Sequence, residues 1–329
     1  MIYDFLFIIL RPNLFLRFFG WKNNKIFKIW KNQKHNFNYI KMKTKLSPIV
    51  AGTMNWGIWD KNLNTSEMEH LIHLCIENQI TTFDHADIYG GYTTEADFGK
   101  AFAKSKIDRK NLQLISKCGI QLTHGRNNVV KHYDYSKEYI LWSVENSLKN
   151  LQTDYLDVLL LHRPSPLIVA DEIAEAVANL KQEGKIIDFG VSNFTASQTE
   201  LIRQKTEVNY NQIQFSATHH EAMLDGSFDY MQLHNIRPMC WNPLGTVFRE
   251  DIEQTRRLKK LLAQLVDKYH FGADTILLAW ILKHPAKTIP IAGTVNIARI
   301  QALMKATTLL LEQEDWFAIW VESMGNDVP

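Results

Sequence analysis

Four side chains of the 329-residue sequence, Asp84, Tyr89, Lys117 and His162, are of types that can do acid–base chemistry together, and three of them close short apolar runs. Asp84 ends the run Ile80-Thr81-Thr82-Phe83, and Tyr89 follows five residues later, just before Gly90-Gly91. A carboxylate and a phenol at that spacing have a structural alternative, an Asp capping backbone amides and a Tyr anchoring a loop, because a two-residue pattern is weak. Lys117 ends the run at 112–116, and His162 ends Val158-Leu159-Leu160-Leu161. Singly they read as a solvated lysine and a hydrogen-bonded histidine. Together, at corresponding ends of separate runs, the four form a proton-transfer set that one fold could bring to a common mouth.

The elements that must position them can be read from the pattern. From Leu46 onward, β-type runs and helical patterns alternate at intervals of roughly 25 to 40 residues, which is how successive βα units read. Ile49-Val50-Ala51 leads into Gly52-Thr53-Met54, and Ser66 with Glu69 reads as a capping box opening the first helix. The second strand ends at Asp84, a helix spans 94–103, and the third strand covers 112–117. Residues 118–135 have no period and read as a long loop, of the kind that is functional when it occurs in a compact domain. Ser136 caps the next helix, 158–162 is a continuously apolar fourth strand, and a helix over 169–183 stops at Gly184. Strands follow at 186–191, 208–215, 237–241 and 288–291, with a capping box at Thr195 and Gln198. Eight strands with intervening helices and no linker predict a single-domain (β/α)8 barrel over 42–329, whose catalytic groups would lie at the carboxyl ends of the strands. The competing open doubly wound sheet lacks its G-x-G-x-x-G turn after the first strand.

Composition is that of a globular chain, with 46% hydrophobic and 22% charged residues. Three scattered cysteines, Cys75, Cys118 and Cys240, form neither a disulfide framework nor a thiolate metal site and fit a reducing cytoplasm. The net charge of +2 hides an asymmetry: residues 1–41 hold eight Lys and Arg against the single acid Asp4, so the remainder is net acidic. The body therefore implies no nucleic-acid partner. The apolar run that begins at Phe5 is broken by Arg11-Pro12, far short of the roughly 18 residues of a membrane span. Residues 1–41 are expected to lie outside the fold, with Met42 as the expected start of synthesis, and the barrel to be a monomer or weak homo-oligomer.

Beyond the four acid–base residues, Ile115-Ser116-Lys117-Cys118-Gly119, Leu160-Leu161-His162-Arg163-Pro164 and Gly190-Val191-Ser192-Asn193-Phe194 stand in the order of known strand-end signatures. On these residues the chain resembles the aldo-keto reductase superfamily over about 47–299. The stretches His85-Ala86-Asp87-Ile88-Tyr89-Gly90-Gly91-Tyr92 and Asp327-Val328-Pro329 are most similar to a bacterial branch of NADP-dependent members. The resemblance implies reduction of an aldehyde or ketone by hydride transfer from NADPH, with Asp84, Tyr89, Lys117 and His162 as the catalytic tetrad. Physical chemistry agrees. A hydride arriving at a carbonyl carbon leaves an alkoxide that needs a proton donor, and Tyr89 is the candidate. Lys117 can favour the phenol's ionisation, Asp84 can hold the ammonium, and His162 can orient the carbonyl oxygen.

The resemblance also implies cofactor residues. Ser192, Asn193 and Gln212 match the groups that hold the nicotinamide carboxamide, and Trp241 stands where an aromatic ring stacks on the nicotinamide. Asp84, Thr53, Met54 and Leu244 are assigned to the cofactor as well. Gly293-Thr294 before a helix starting near Asn296 suits a phosphate, and Arg299 matches the contact to the adenosine 2′-phosphate. This chain departs from the family at Ile291-Ala292-Gly293, where many members carry a Lys, and at Gln301-Ala302 after the Arg, so preference for NADP over NAD is less securely implied than cofactor use. No metal is expected, since Lys117 competes for Asp84 and no further ligand set joins His85 and Asp87. Trp56, 118–135, 219–228 and the C-terminal tail are the expected specificity elements. An NADPH-binding redox sensor with little turnover is the alternative from another class. A hydrolase barrel is disfavoured for want of a carboxylate pair.

Overall fold

The computed structural model describes residues 44–328, so the expectation for residues 1–41 falls outside the described part. Among these residues ten strands occur: β1 (Val50–Gly52), β2 (Thr82–Asp84), β3 (Gln113–Cys118), β4 (Ile120–Gln121), β5 (His132–Tyr133), β6 (Leu156–Leu161), β7 (Ile186–Ser192), β8 (Tyr210–Gln214), β9 (Arg237–Trp241) and β10 (Ile289–Ala292). Eight of them close a barrel in the order β1-β10-β9-β8-β7-β6-β3-β2, with every neighbouring pair parallel. Helices return the chain between strands, so the (β/α)8 expectation is met. Among the described residues no helix is long and apolar enough to cross a membrane.

The strand period of two explains how the barrel builds its mouth. Val50, Ile115, Val158, Leu160, Tyr210, Met239, Ile289 and Ile291 form one buried cluster drawn from six strands, which is the barrel interior. Stepping two residues along each strand from Ile115, Leu160, Tyr210 and Met239 reaches Lys117, His162, Gln212 and Trp241. The same step leads from Gly190 to Ser192 and from Thr82 to Asp84. Gly190 is interior too, since a Cβ there would come within 2.7 Å of Leu160 and 2.5 Å of the Tyr210 carbonyl oxygen. The polar ring is therefore the next layer above a packed apolar one. The alternate residues Leu159 and Leu161 face outward into the larger core under the helices.

Residues 44–47 cross the opposite end. The Thr44 amide donates to Asp188 Oδ2 at 2.9 Å, and Leu46 joins the interior cluster.

Local signals were mostly legible. Ser136 accepts from the Tyr139 amide at the start of the helix Lys137–Leu151, and Thr195 with Gln198 forms a capping box. The first helix, Thr65–Glu77, is capped differently from the expectation. Asn64 Oδ1 accepts from the amides of Ser66 and Glu67 at 2.9 and 3.0 Å, and Glu67 returns to the Asn64 amide at 2.8 Å. Asn is an equally good cap, and it stands one position before the helix whereas Ser66 lies inside it. The stretch 118–135 is not wholly irregular: β4 and β5 form an antiparallel ribbon pairing Ile120 with Tyr133 and Gln121 with His132. Two-residue strands are too short to leave a period in a sequence.

Candidate active site

Lys117 is 1% exposed, and its ammonium donates to Asp84 Oδ2 at 2.7 Å, to the His85 carbonyl at 2.8 Å and to the Tyr89 hydroxyl at 2.9 Å. A buried ammonium with three acceptors is fully satisfied, which is what its burial requires. Gln212 Nε2 donates to the other oxygen of Asp84 at 2.9 Å, so that carboxylate is held from both sides. The His162 amide donates to the Cys118 carbonyl at 2.9 Å, and its ring meets Tyr89 edge-on with centroids 6.0 Å apart. Four residues from three strands and one loop thus converge on one point.

The electrostatics assign protonation states. Burial pushes the Tyr89 phenol above its ordinary value, the neighbouring Lys117 charge pulls it back, and Asp84 pushes it up again. The net direction is upward, so the phenol holds its proton at neutral pH. The expected acidifying effect of Lys117 is present but outweighed by desolvation. Burial works against the Lys117 charge, yet Asp84 and Tyr89 hold its value above the ordinary one. Burial, then Lys117, Arg163 and Lys131, depress His162 well below the usual histidine value, leaving a neutral imidazole.

The tetrad sits at one side of a cleft of about 1190 Å³, larger than the roughly 300–1,000 Å³ of a typical small-molecule site. Asp84, Tyr89 and His162 line it, while Lys117 lies behind them. Ser192, Asn193, Gln212, Trp241 and Leu244 line it too, Gln212 directly beside the tetrad. Trp241 Nε1 donates to Asn193 Oδ1 at 2.9 Å, and Asn193 Nδ2 donates to Ser192 Oγ at 2.8 Å. Asn193 sits at φ +60°, a left-handed conformation that Asn tolerates better than most residues. Met54, Gly293, Thr294 and Arg299 line the remainder, and Arg299 makes no salt bridge among the described residues. A Cβ on Gly293 would meet nothing closer than Asn55 Nδ2 at 3.7 Å, so the backbone there is open to the cleft. A cleft of this volume lined by amides, an aromatic ring, an open glycine and a guanidinium without a salt bridge among the described residues fits a dinucleotide. Thr53 is the exception among the expected residues: it is fully buried, and its hydroxyl is engaged by the Asp84 carbonyl and His85 Nδ1, each at 2.9 Å.

Residues 48–320 match the family model described as the aldo/keto reductase family. The chain belongs to that family. It is an NAD(P)H-dependent oxidoreductase, of a family that acts on small carbonyl substrates. The reductase is 42% identical over 292 residues to the uncharacterized oxidoreductase YcsN of Bacillus subtilis strain 168, covering 87% of this chain and 97% of the relative. It is 39% identical over 279 residues to oxidoreductase YdhF of Escherichia coli strain K12, covering 83% and 93%. Among solved structures, the thermostable aldo-keto reductase Tm1743 in complex with the inhibitor epalrestat superposes with a TM-score of 0.71 at 26% identity, covering 86% of this chain and 97% of that one.

The reductase also brings residues to the cleft that the sequence reading passed over. Trp59, not Trp56, faces the tetrad: Trp59 is 42% exposed with its ring 6.1 Å from Tyr89, whereas Trp56 is 1% exposed and packed on Phe83 and Phe98. Two tryptophans three residues apart in a loop carry no period to tell them apart. Ile120 and Tyr133 of the ribbon line the cleft together with Lys131 just before β5, as expected of 118–135, but among the described residues none of 219–228 or of the C-terminal tail does. Arg163 and Arg249 line it as well, and adjacency to His162 in sequence was the available signal for the first.

Proposed function

We propose that the reductase converts an aldehyde or ketone to an alcohol with NADPH, with Tyr89 as the proton donor. The observation that carries this reading is the buried ammonium of Lys117 in contact with both Asp84 and Tyr89. When bound, the reduced nicotinamide supplies the hydride. Tyr89, protonated at neutral pH and open to the cleft, gives its proton to the oxygen that becomes the alcohol. Lys117 stabilises the phenolate left behind, and Asp84 and Gln212 keep that ammonium and its counter-charge in place. His162, neutral, donates a hydrogen bond that orients the carbonyl without adding a charge.

Ser192, Asn193 and Gln212 would hold the carboxamide, Trp241 would stack on the ring, and Met54 and Leu244 would flank the dinucleotide. Gly293, Thr294 and Arg299 would take the phosphates, Arg299 as the grip on a 2′-phosphate. Thr53 acts through the Asp84 carbonyl rather than by touching the cofactor. Residues 1–41 are taken as outside this machinery, since 44–328 hold a complete barrel.

The test is a panel of aldehydes and ketones scanned for NADPH and NADH consumption, with Arg299→Ala beside the native protein. Arg299→Ala should weaken NADPH binding about tenfold or more while leaving NADH binding nearly unchanged, because only NADPH offers the extra phosphate. Equal losses for both would remove Arg299 from discrimination. Tight NADPH binding without turnover of any carbonyl would favour the sensor alternative.

A further inference from the structure

Arg163 is half-buried and lines the cleft directly after His162, yet among the described residues its guanidinium makes neither a hydrogen bond nor a salt bridge. The fold nevertheless fixes its backbone. The Tyr135 hydroxyl donates to the Arg163 carbonyl and accepts from the Arg163 amide at 3.0 Å. The Tyr135 ring reaches there only because position 119 is Gly, where a Cβ would stand 2.0 Å from the ring. The guanidinium carbon lies 5.7 Å from the Trp241 ring centroid, so the side chain reaches inward over the mouth. Lys131, one residue before β5, lines the same side and is also without a salt bridge among the described residues.

The acids of the cleft do not answer these charges. Asp60 pairs with Lys61, Asp84 with Lys117, and Asp274 Oδ1 accepts from the Thr275 amide. Nor does Arg163 spring from the strand that leads to the phosphate end: in the barrel order β6, which it follows, stands opposite β10, which precedes Gly293 and Arg299. Both cations act on the tetrad, since their charges help hold His162 neutral.

Building on the reductase reading, we propose that the carbonyl substrate carries an anionic group, a carboxylate or a phosphate, which Arg163 binds with Lys131 while the carbonyl oxygen meets Tyr89 and His162. A guanidinium with no acceptor among the described residues presents its fork to such a group, and Lys131 adds a point charge.

The experiment compares kcat/KM with NADPH for matched pairs, 4-oxobutanoate against butanal and glyceraldehyde 3-phosphate against glyceraldehyde, in the native protein, Arg163→Met, Arg163→Lys and Lys131→Met. A charge-assisted hydrogen bond is expected to favour the anionic member of at least one pair by about tenfold or more, and which pair responds separates carboxylate from phosphate. That ratio should fall to near one in Arg163→Met, fall less in Lys131→Met, be partly kept in Arg163→Lys, and shrink in the native protein as salt rises. Reduction of the neutral members with no anionic preference in either pair overturns this inference alone. A preference that survives both methionine variants, or is insensitive to salt, also overturns it. Failure to reduce any of the four overturns the reductase reading and this inference with it.

Discussion

Replacing Tyr89 by Phe removes one hydroxyl and keeps the ring, so it isolates proton delivery from packing. General acid catalysis contributes about 10²- to 10⁴-fold, which corresponds to roughly 3–5 kcal/mol of barrier, and turnover should fall by that factor. Stability should barely change, since the Lys117 ammonium keeps Asp84 Oδ2 at 2.7 Å and the His85 carbonyl at 2.8 Å. Lys117→Met should lose as much activity for a different structural cost. It strands the Asp84 carboxylate, whose side chain is 4% exposed, with Gln212 as its remaining side-chain partner. Removing one member of a buried ion pair costs about 3–5 kcal/mol, or on the order of 10 °C in thermal midpoint for a domain of this size. Because phenol and ammonium form one unit, the double variant should be little slower than the slower single. Absorbance at the NADPH band, a fluorescence titration of cofactor affinity and thermal melts read all three quantities. Near-native turnover in Tyr89→Phe would refute the mechanism. A Lys117→Met protein as stable as Tyr89→Phe would refute the argument about the buried pair.

Asp87, buried behind the tetrad, has its carboxyl pushed up to about 7 by burial and by Glu95 against the pull of Arg126. Its contribution to stability is therefore full below the ordinary carboxyl value and lost as pH rises through about 7, by up to about 1.4 kcal/mol per unit. Asp87→Asn should gain on the native protein in denaturant melts between pH 5 and 7 and level off above; a pH-independent difference would contradict this. Trp56→Ala should cost about 3–5 kcal/mol of stability as a large core truncation, whereas Trp59→Ala should cost little stability and raise KM for the carbonyl. The reverse pattern would mean that the cleft is lined by the other tryptophan. Gly119→Ala, at φ +115° with the Tyr135 ring in the way, should lower the thermal midpoint by several degrees and weaken the grip on Arg163. An unchanged midpoint would show that the ring moves freely.

Much of the site could be read from the chain alone because it depends on short-range regularities. A strand alternates its faces every two residues, so once 112–117 and 158–162 read as buried parallel strands, Lys117 and His162 had to emerge at their carboxyl ends, as they do on the observed strands 113–118 and 156–161. Asp84, Ser192, Gln212 and Trp241 follow by the same step. What remained open was decided by contacts between residues far apart in sequence. Trp56 faces the core and Trp59 the cleft because Phe83 and Phe98 wait for the first and Tyr89 for the second. The Tyr135 hydroxyl grips Arg163 across 28 residues, and two-residue strands pair only because the ends of 120–133 meet. The Tyr89 proton was decided in the same way. A sequence shows that a cation and a phenol share a mouth, but desolvation grows with every atom packed around them, and only the folded barrel determines whether burial or the neighbouring charge prevails.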